Sequence, residues 1–215
     1  MGFSSAAPAK QKRIERREEL QEEFEDSICR MFKNAKAGAV TPCPAWGMED
    51  EMDIGQDMLS AKSASEIRPL SEQLGEQAGV YMLMQTLYKN NIPFKEDCLH
   101  VFNGANVFNI VYVYPDTTNP TAVVILETKG GSSQCGWRNS PLYGVRVKQG
   151  TPEYAETEAD VMSGSSKTDV SEVGEAIQNC LGQNPSKVLY LGVRAPYNKK
   201  KKVIYEPEAI FFEEV

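Results

Sequence analysis

Histidine is the residue type that this sequence most nearly lacks, and its cysteines are few and scattered. One histidine, His100, is present, and the five cysteines include no Cys-x-x-Cys pair. The odd count excludes a complete disulfide framework, and the scattered spacing argues against a zinc site. A histidine-based mechanism, or a Cys-His hydrolase, would have to rest entirely on His100.

Long apolar runs are also missing. No run approaches the roughly 20 residues that a membrane-spanning helix needs, and residues 1–10 lack the apolar segment of a secretory signal peptide. The 41% hydrophobic and 25% charged residues are typical of a soluble globular chain. For 215 residues we expect one α/β domain with a short appendage, no membrane insertion, and any export by a route without a cleaved signal.

The chain has no excess of positive charge, since its formal net charge is −7. This argues against nonspecific nucleic-acid binding by the whole surface, because phosphate contacts need lysine and arginine. Residues 129–148 differ, because they contain Lys129, Arg138, Arg146 and Lys148 and no acidic residue. The sequence therefore allows a locally basic groove on an acidic protein.

The most informative segment is residues 123–132, where an apolar run ends in Glu127-Thr-Lys129 and then in glycines. If the run is a β-strand, its side chains alternate between two faces. One face would carry Val123, Ile125, Glu127 and Lys129, and the other Ala122, Val124, Leu126 and Thr128. Charge buried in a sheet costs several kcal/mol unless it is paired or binds a metal. The pattern therefore predicts a carboxylate and an ammonium side by side at the end of a buried strand.

A second strand precedes the first. Residues 107–114 are apolar and aromatic apart from Asn109, and the link 115–120 has the Pro, Asp and Asn residues of a turn. The two strands are therefore predicted to form an antiparallel hairpin. Residue 109 would lie opposite Leu126 or Glu127, depending on a register that differs by one residue.

This hairpin resembles that of PD-(D/E)xK nucleases, in which an acid on one strand faces the Glu-x-Lys of the next. The Gly/Ser loop that closes on Gly136-Trp-Arg138, followed by Gln149-Gly-Thr-Pro-Glu-Tyr154, is similar to restriction-endonuclease-fold toxin domains of bacterial polymorphic toxins. The resemblance covers roughly residues 70 to 165. It implies a mixed α/β fold with a catalytic hairpin flanked by helices, and metal-dependent hydrolysis of phosphodiester bonds. DNA is the expected substrate, and an RNase of the same fold is the alternative.

The resemblance also implies roles for individual residues. Mg²⁺ or Mn²⁺ would be held by residue 109, Glu127 and the carbonyl of Thr128, and Lys129 would orient or deprotonate the attacking water. Glu76 is either a further metal ligand or a solvent-facing acid near the start of its helix. Gln149 would order the water or the phosphate. The nucleic-acid backbone would be bound by Ser132, Ser133, Arg138, Arg146 and Lys148.

One departure from the family pattern bears on activity. Asn109 stands where the pattern has a metal-binding Asp, and a neutral amide binds a hard cation more weakly than a carboxylate does. We expect the chain to be inactive or nearly so, whether the Asn is natural or introduced. Asp116 cannot replace the acid, because it lies in the hairpin loop. A non-catalytic binding module with a nuclease fold and an unrelated α/β protein with a chance Glu-x-Lys are the rival readings.

The remaining segments of the sequence predict how the chain is divided into helices, strands, linker and loop. Residues 10–36 have an amphipathic helical pattern, which would dock on the main domain or on another protein, and residues 37–66 read as a linker. We therefore expect an N-terminal segment, 1–66, and a nuclease-like domain, 67–215. Further helices are predicted from Ser71 to about residue 90, from Thr151, and from Asp169 to Leu181. Residues 130–144 read as a Gly/Ser loop, residues 187–194 and 202–205 as paired strands, and the stretch from Ala209 as a short strand or an extended end.

The resemblance finally implies partners and a location. A delivered nuclease would need a cognate immunity protein, for which residues 129–148 and the lysines at 199–202 are the predicted contact. The helix over residues 10–36 would join a delivery protein or chaperone. The protein would be a secreted effector that acts in the cytoplasm of a target cell.

Overall fold

The fold is mixed α/β and is built around one central sheet. The computed structural model describes residues 6–33, 35, 40, 42–46, 54, 56–58, 60–130, 135–198 and 203–210. Within that part of the chain the central sheet has the order β1-β2-β3-β6-β9. Its strands are β1 (Leu99–Val101), β2 (Ile110–Tyr114), β3 (Ala122–Gly130), β6 (Val188–Ala195) and β9 (Glu208–Ile210). Among the pairings of these described strands, β3–β6 is the single parallel one.

Two short hairpins and four long helices are described beside the central sheet, and residues 54, 56–58 and 60 are also helical. The hairpins are β4 (Trp137–Asn139) with β5 (Arg146–Lys148), and β7 (Tyr197–Asn198) with β8 (Val203–Ile204). The helices are α1 (Ala6–Met31), α2 (Ala64–Lys89), α3 (Pro152–Ser163) and α4 (Thr168–Gln183). Single 3₁₀ turns span Glu96–Cys98 and Pro185–Lys187. Among the described residues, no helix has the length and apolar character needed to cross a membrane.

The two faces of β3 follow the predicted alternation. Ala122, Val124 and Leu126 are buried in one core together with apolar side chains of α1 and α2. Val123 and Ile125 are buried in a second core with α3 and α4. Helices therefore cover both faces of the sheet, and the charged pair that follows Ile125 continues on the second face.

Helix α2 begins earlier than the sequence pattern predicts, at Ala64 instead of Ser71. The side chain of Ser63 accepts a hydrogen bond from the Glu66 N–H at 3.3 Å, and Glu66 accepts one from the Lys62 N–H at 2.8 Å. This reciprocal capping satisfies N–H groups at the helix start and stabilises the added turns. The expected division at residue 66 therefore lies inside α2.

Helix α1 packs against the sheet, as one of its two predicted docking modes requires. Its apolar side chains Leu20, Phe24 and Ile28 are buried in the core that α2 also shares. Arg17 forms a 2.9 Å ion pair with Glu208 of β9. Helix α1 ends at Met31, earlier than the predicted residue 36.

The strand pairing predicted for the C-terminal region is wrong. Strand β6 runs parallel to β3 and antiparallel to β9, and the described residues 203–205 of the predicted partner do not pair with it. A nearly continuous apolar strand suits an interior position, where both edges are paired. The short β8 pairs with β7 instead, while the lysines at 199–202 lie outside the described residues. The strand predicted from Ala209 is confirmed as β9, and the helix predicted from Thr151 as α3.

Candidate active site at the end of the central strand

Helix α2 lies unusually close to the C-terminal end of β3. A Cβ atom added to Gly130 would stand 1.8 Å from the Ser71 carbonyl oxygen, and one added to Gly75 would stand 3.0 Å from the Gly130 nitrogen. At Gly79 it would meet the Thr128 methyl group at 2.7 Å. Glycine at these positions lets the helix and the strand end touch.

A cleft of about 1170 Å³ opens at this junction. Five of the residues singled out from the sequence line it together: Glu76, Asn109, Glu127, Thr128 and Lys129. Arg17 of α1 and Arg194 of β6 also line it. The half-buried Glu76 therefore faces the same space as the strand end, and burial raises the pKa of its carboxyl group, with Glu72 adding to the effect.

Asn109 faces Glu127 across the hairpin. The pairing of Ile110 with Leu126 settles the register and places residue 109, just before β2, opposite residue 127. The Asn109 side-chain oxygen Oδ1 accepts a hydrogen bond from the Thr128 N–H at 3.1 Å. In an extended strand the N–H and C=O of one residue point to the same edge, so the Thr128 carbonyl faces the side where Asn109 lies.

Glu127 is a buried carboxylate with two polar partners. Its side chain is almost inaccessible, at 4% exposure. Lys129 Nζ lies 3.4 Å from Glu127 Oε1, and Gln149 Nε2 donates a hydrogen bond to the same oxygen. Burial raises the pKa of Glu127 to about 7, the nearby Glu158 adds to this, and Lys129 opposes it. The predicted contact between the carboxylate and the ammonium is therefore present.

Gln149 connects this carboxylate to the hairpin that follows. Its Oε1 accepts a hydrogen bond from the Gly136 N–H at 2.6 Å, while its Nε2 binds Glu127. Nε2 also lies 3.4 Å from the Tyr154 hydroxyl. The Tyr190 hydroxyl accepts a hydrogen bond from the Gly150 N–H at 3.3 Å. The turn is thus held both through the Gln149 side chain and through the backbone of Gly150.

Sequence reasoning missed these two tyrosines as parts of the site. Tyr154 and Tyr190 stack with ring centroids 6.4 Å apart, and Phe108 packs edge-on against Tyr190 at 5.5 Å. Tyr154 belongs to the Gln-Gly-Thr-x-x-Tyr motif, which was a signal for it. No local sequence pattern pointed to Tyr190, because the residue that it contacts, Gly150, lies 40 positions earlier in the sequence.

Arg138 is engaged inside the fold and does not line the cleft. It pairs with Val147 across the β4–β5 hairpin, and Val147 is buried, so the Arg138 side chain points inward. There it forms an ion pair with the buried Glu158 and donates to Asn106 Oδ1 at 3.3 Å. Burial raises the pKa of Glu158 and Arg138 opposes this effect. The guanidinium therefore compensates a buried acid.

The remaining predicted residues lie elsewhere. Arg146 and Lys148 belong to β5, on the hairpin face opposite Arg138. Ser132 and Ser133 lie outside the described residues. Asp116 accepts hydrogen bonds from the N–H groups of Thr118 and Asn119, and so caps the β2–β3 turn.

His100 lies on the sheet edge in β1, outside the lining of the cleft. Its ring stacks on Phe102 with centroids 6.1 Å apart. Burial lowers the pKa of His100. These contacts are those of a packed side chain.

A divalent cation fits this site poorly as the chain stands. Within the described ranges, no group of three or more His, Cys, Asp or Glu residues could hold a metal ion. Because Asn109 Oδ1 accepts from a backbone N–H, the other head-group atom is Nδ2, which donates hydrogen bonds and cannot bind a cation. An aspartate at 109 would put a second carboxylate oxygen in that position.

Comparison of the chain with protein-family models, with curated proteins and with solved structures found no match.

Proposed function

We propose that this protein is a metal-dependent nuclease of restriction-endonuclease-like fold whose metal site lacks one acid, at Asn109. The observation that supports the proposal most is the junction of β3 with α2. There a buried Glu127 contacts Lys129 and Gln149 and lies opposite Asn109, at the edge of a cleft that Glu76 also lines. A buried carboxylate with a raised pKa in a cleft is typical of functional sites.

In the active form an aspartate at 109, Glu127 and the Thr128 carbonyl would hold Mg²⁺ or Mn²⁺. The cation would supply Lewis-acid stabilisation of the phosphorane charge and a more acidic water. Glu76 is available as a further ligand from the opposite wall, since it lines the same cleft. In the present chain the carboxamide of Asn109 removes one of the negative charges that hard cations prefer.

Lys129 and Gln149 act through their contacts with Glu127. The Lys129 ammonium, 3.4 Å from Glu127 Oε1, opposes the burial that raises the pKa of Glu127 and would offset negative charge on the scissile phosphate. The Gln149 carboxamide holds Glu127 in one orientation, because its two ends are bound to Glu127 and to the Gly136 N–H. Positioning of this kind reduces the reorganisation needed during reaction.

The biological setting proposed for this activity is competition between bacteria. The protein would be a secreted effector that cuts DNA in the cytoplasm of a target cell, with a cognate immunity protein in the producing cell. The immunity protein would bind the β4–β5 hairpin. On this hairpin Arg146 and Lys148 lie on the face opposite Arg138, whose side chain forms an ion pair with Glu158. A delivery protein or chaperone would bind the exposed, charged side of α1, which retains Arg16 and Glu19 at the surface.

A non-catalytic binding module is the second candidate, and one observation favours it. The Thr128 N–H, near the end of β3, donates a hydrogen bond to Asn109 Oδ1, so these two polar groups are paired without a bound metal. A fold that no longer cuts would gain from this neutral contact, because it avoids a second carboxylate beside Glu127.

The two candidates are separated by Asn109→Asp. If the protein is a weakened nuclease, this variant cuts plasmid DNA, single-stranded DNA or RNA when Mg²⁺ or Mn²⁺ is added, and EDTA stops it. Lys129→Ala in the Asn109→Asp background abolishes the cutting. Asn103→Asp is the matched control, because it adds the same charge to another residue of the same cleft and should leave the protein silent. An Asn109→Asp protein that is folded but silent on both DNA and RNA supports the non-catalytic module.

A further inference from the structure

The outward face of the β4–β5 hairpin combines an exposed indole with two basic residues. Trp137 is 55% exposed, a large fraction for this side chain. In the hairpin register Trp137 pairs with Lys148 and Asn139 pairs with Arg146, so all four side chains lie on one face. The Arg146 guanidinium carbon lies 5.7 Å from the centre of the Trp137 ring. One aromatic ring and two cations thus share one face of the hairpin, and the segment 129–148 that contains the hairpin has no acidic residue.

The hairpin that carries this face is joined to the candidate active site through Gln149. Gly136, the residue before Trp137, donates its N–H to Gln149 Oε1 at 2.6 Å, and Gln149 in turn binds Glu127. Lys148 precedes Gln149 in sequence and is the cross-strand partner of Trp137. The backbone segment that carries the indole is therefore joined to the Glu127 carboxylate through one glutamine side chain.

We infer that Trp137, with Arg146 and Lys148 beside it, forms a stacking platform for an unpaired nucleobase, and that the site takes single-stranded nucleic acid. The inference rests on the proposed nuclease function and names the form of its substrate. Bases stack on aromatic side chains and arginine planes when they are free of a duplex. A base inside a duplex is already covered on both faces by its neighbours, so only an unpaired one can use the ring.

The charge of the two basic residues fits the same ligand. Lysine and arginine beside an aromatic ring are the composition of grooves that follow the backbone of a single strand. The chain as a whole is acidic, with a net charge of −7, so phosphate binding has to be local. A platform on this face would fix one base while the adjoining backbone reaches the cleft.

The inference is tested by measuring the binding of nucleic acid under conditions in which it is not cleaved. A fluorescein-labelled oligothymidylate and the matching duplex are titrated with the protein in EDTA at low salt, and binding is followed by anisotropy. The protein should prefer the single strand, and Trp137→Ala should weaken that binding by roughly 5- to 150-fold, the loss of one base–aromatic stack. Trp137→Phe should retain most of the binding. Tyr88→Ala removes another exposed aromatic side chain, at the far end of α2, and should change nothing.

A second readout reports the stacking itself. The chain has two tryptophans, so in a Trp46→Phe background the fluorescence comes from Trp137 alone, and oligothymidylate should quench it. Absence of oligonucleotide binding, equal binding by wild type and Trp137→Ala, or preference for the duplex would overturn the inference and leave the face to a protein partner. Because EDTA is present throughout, these results are independent of whether Asn109→Asp cuts nucleic acid.

Discussion

Neutralising Glu127 should make the protein more stable at neutral and alkaline pH. Burial raises the pKa of this carboxyl group from its usual 4.5 to about 7. Between these values the folded protein keeps a proton that the unfolded chain has lost, so the free energy of unfolding falls as pH rises. Each pH unit is worth about 1.4 kcal/mol, and the group therefore costs the fold about 3 kcal/mol once pH has passed 7.

The variant Glu127→Gln removes this titration and keeps an oxygen for Lys129 and Gln149 to bind. Urea unfolding of both proteins at pH 5 and pH 8, in EDTA, gives four free energies. We expect the wild type to lose about 2–3 kcal/mol more than Glu127→Gln between the two pH values. Glu158, whose pKa is also raised, titrates in both proteins, so the double difference largely removes its contribution. Glu72→Gln, which removes an exposed carboxylate of the same cleft, is the control. Parallel pH dependence of the wild type and Glu127→Gln would mean that Lys129 fully compensates the buried charge, and the reasoning would be refuted.

Two further predictions concern the packing around the site. Arg138→Met leaves Glu158 buried without its ion-pair partner and should cost about 3–5 kcal/mol of unfolding free energy; Glu158→Leu in the same protein should restore most of it, and an additive loss would contradict the pairing. Gly130→Ala forces a methyl group against the Ser71 carbonyl and should cost about 1–3 kcal/mol or more. Gly182→Ala, in open space on α4, should instead stabilise by about 0.5–1 kcal/mol, and equal effects of the two alanines would argue against the close approach of α2 to β3.

Local sequence patterns were sufficient for the strand that carries the site. The alternation in residues 122–129 has a period of two, and each face of the strand is buried in its own core. Glu127 and Lys129 must therefore project on the same face as Val123 and Ile125. The start of α3 was predictable for a similar reason, because Thr151 caps it and Pro152 occupies its first turn. Signals of this kind act between residues that are close in sequence.

The remaining features depend on partners far apart in sequence. Strands β4 and β5 have three residues each, and half of their side chains are exposed. Strands this short leave no clear pattern of buried residues in the sequence, so residues 130–144, which include β4, are predicted to be a loop. Arg138 reads as a phosphate ligand until Glu158, twenty residues later, turns out to be buried beside it. The pairing of β6 with β3 and β9 likewise joins segments that no local pattern connects.

A calorimetric titration with Mn²⁺ would test whether the cleft at the end of β3 is a cation site that lacks one acid, and it needs no substrate. The wild type, Asn109→Asp, Asn109→Asp with Glu127→Gln, and the control Asn103→Asp are titrated at pH 8, where the Glu127 carboxyl group, with a pKa of about 7, is mostly ionised. We predict one Mn²⁺ per chain for Asn109→Asp, at least tenfold tighter than for the other three proteins, because only that variant joins two carboxylates at the strand end. Equal Mn²⁺ affinity in Asn109→Asp and in the wild type would contradict the proposed site.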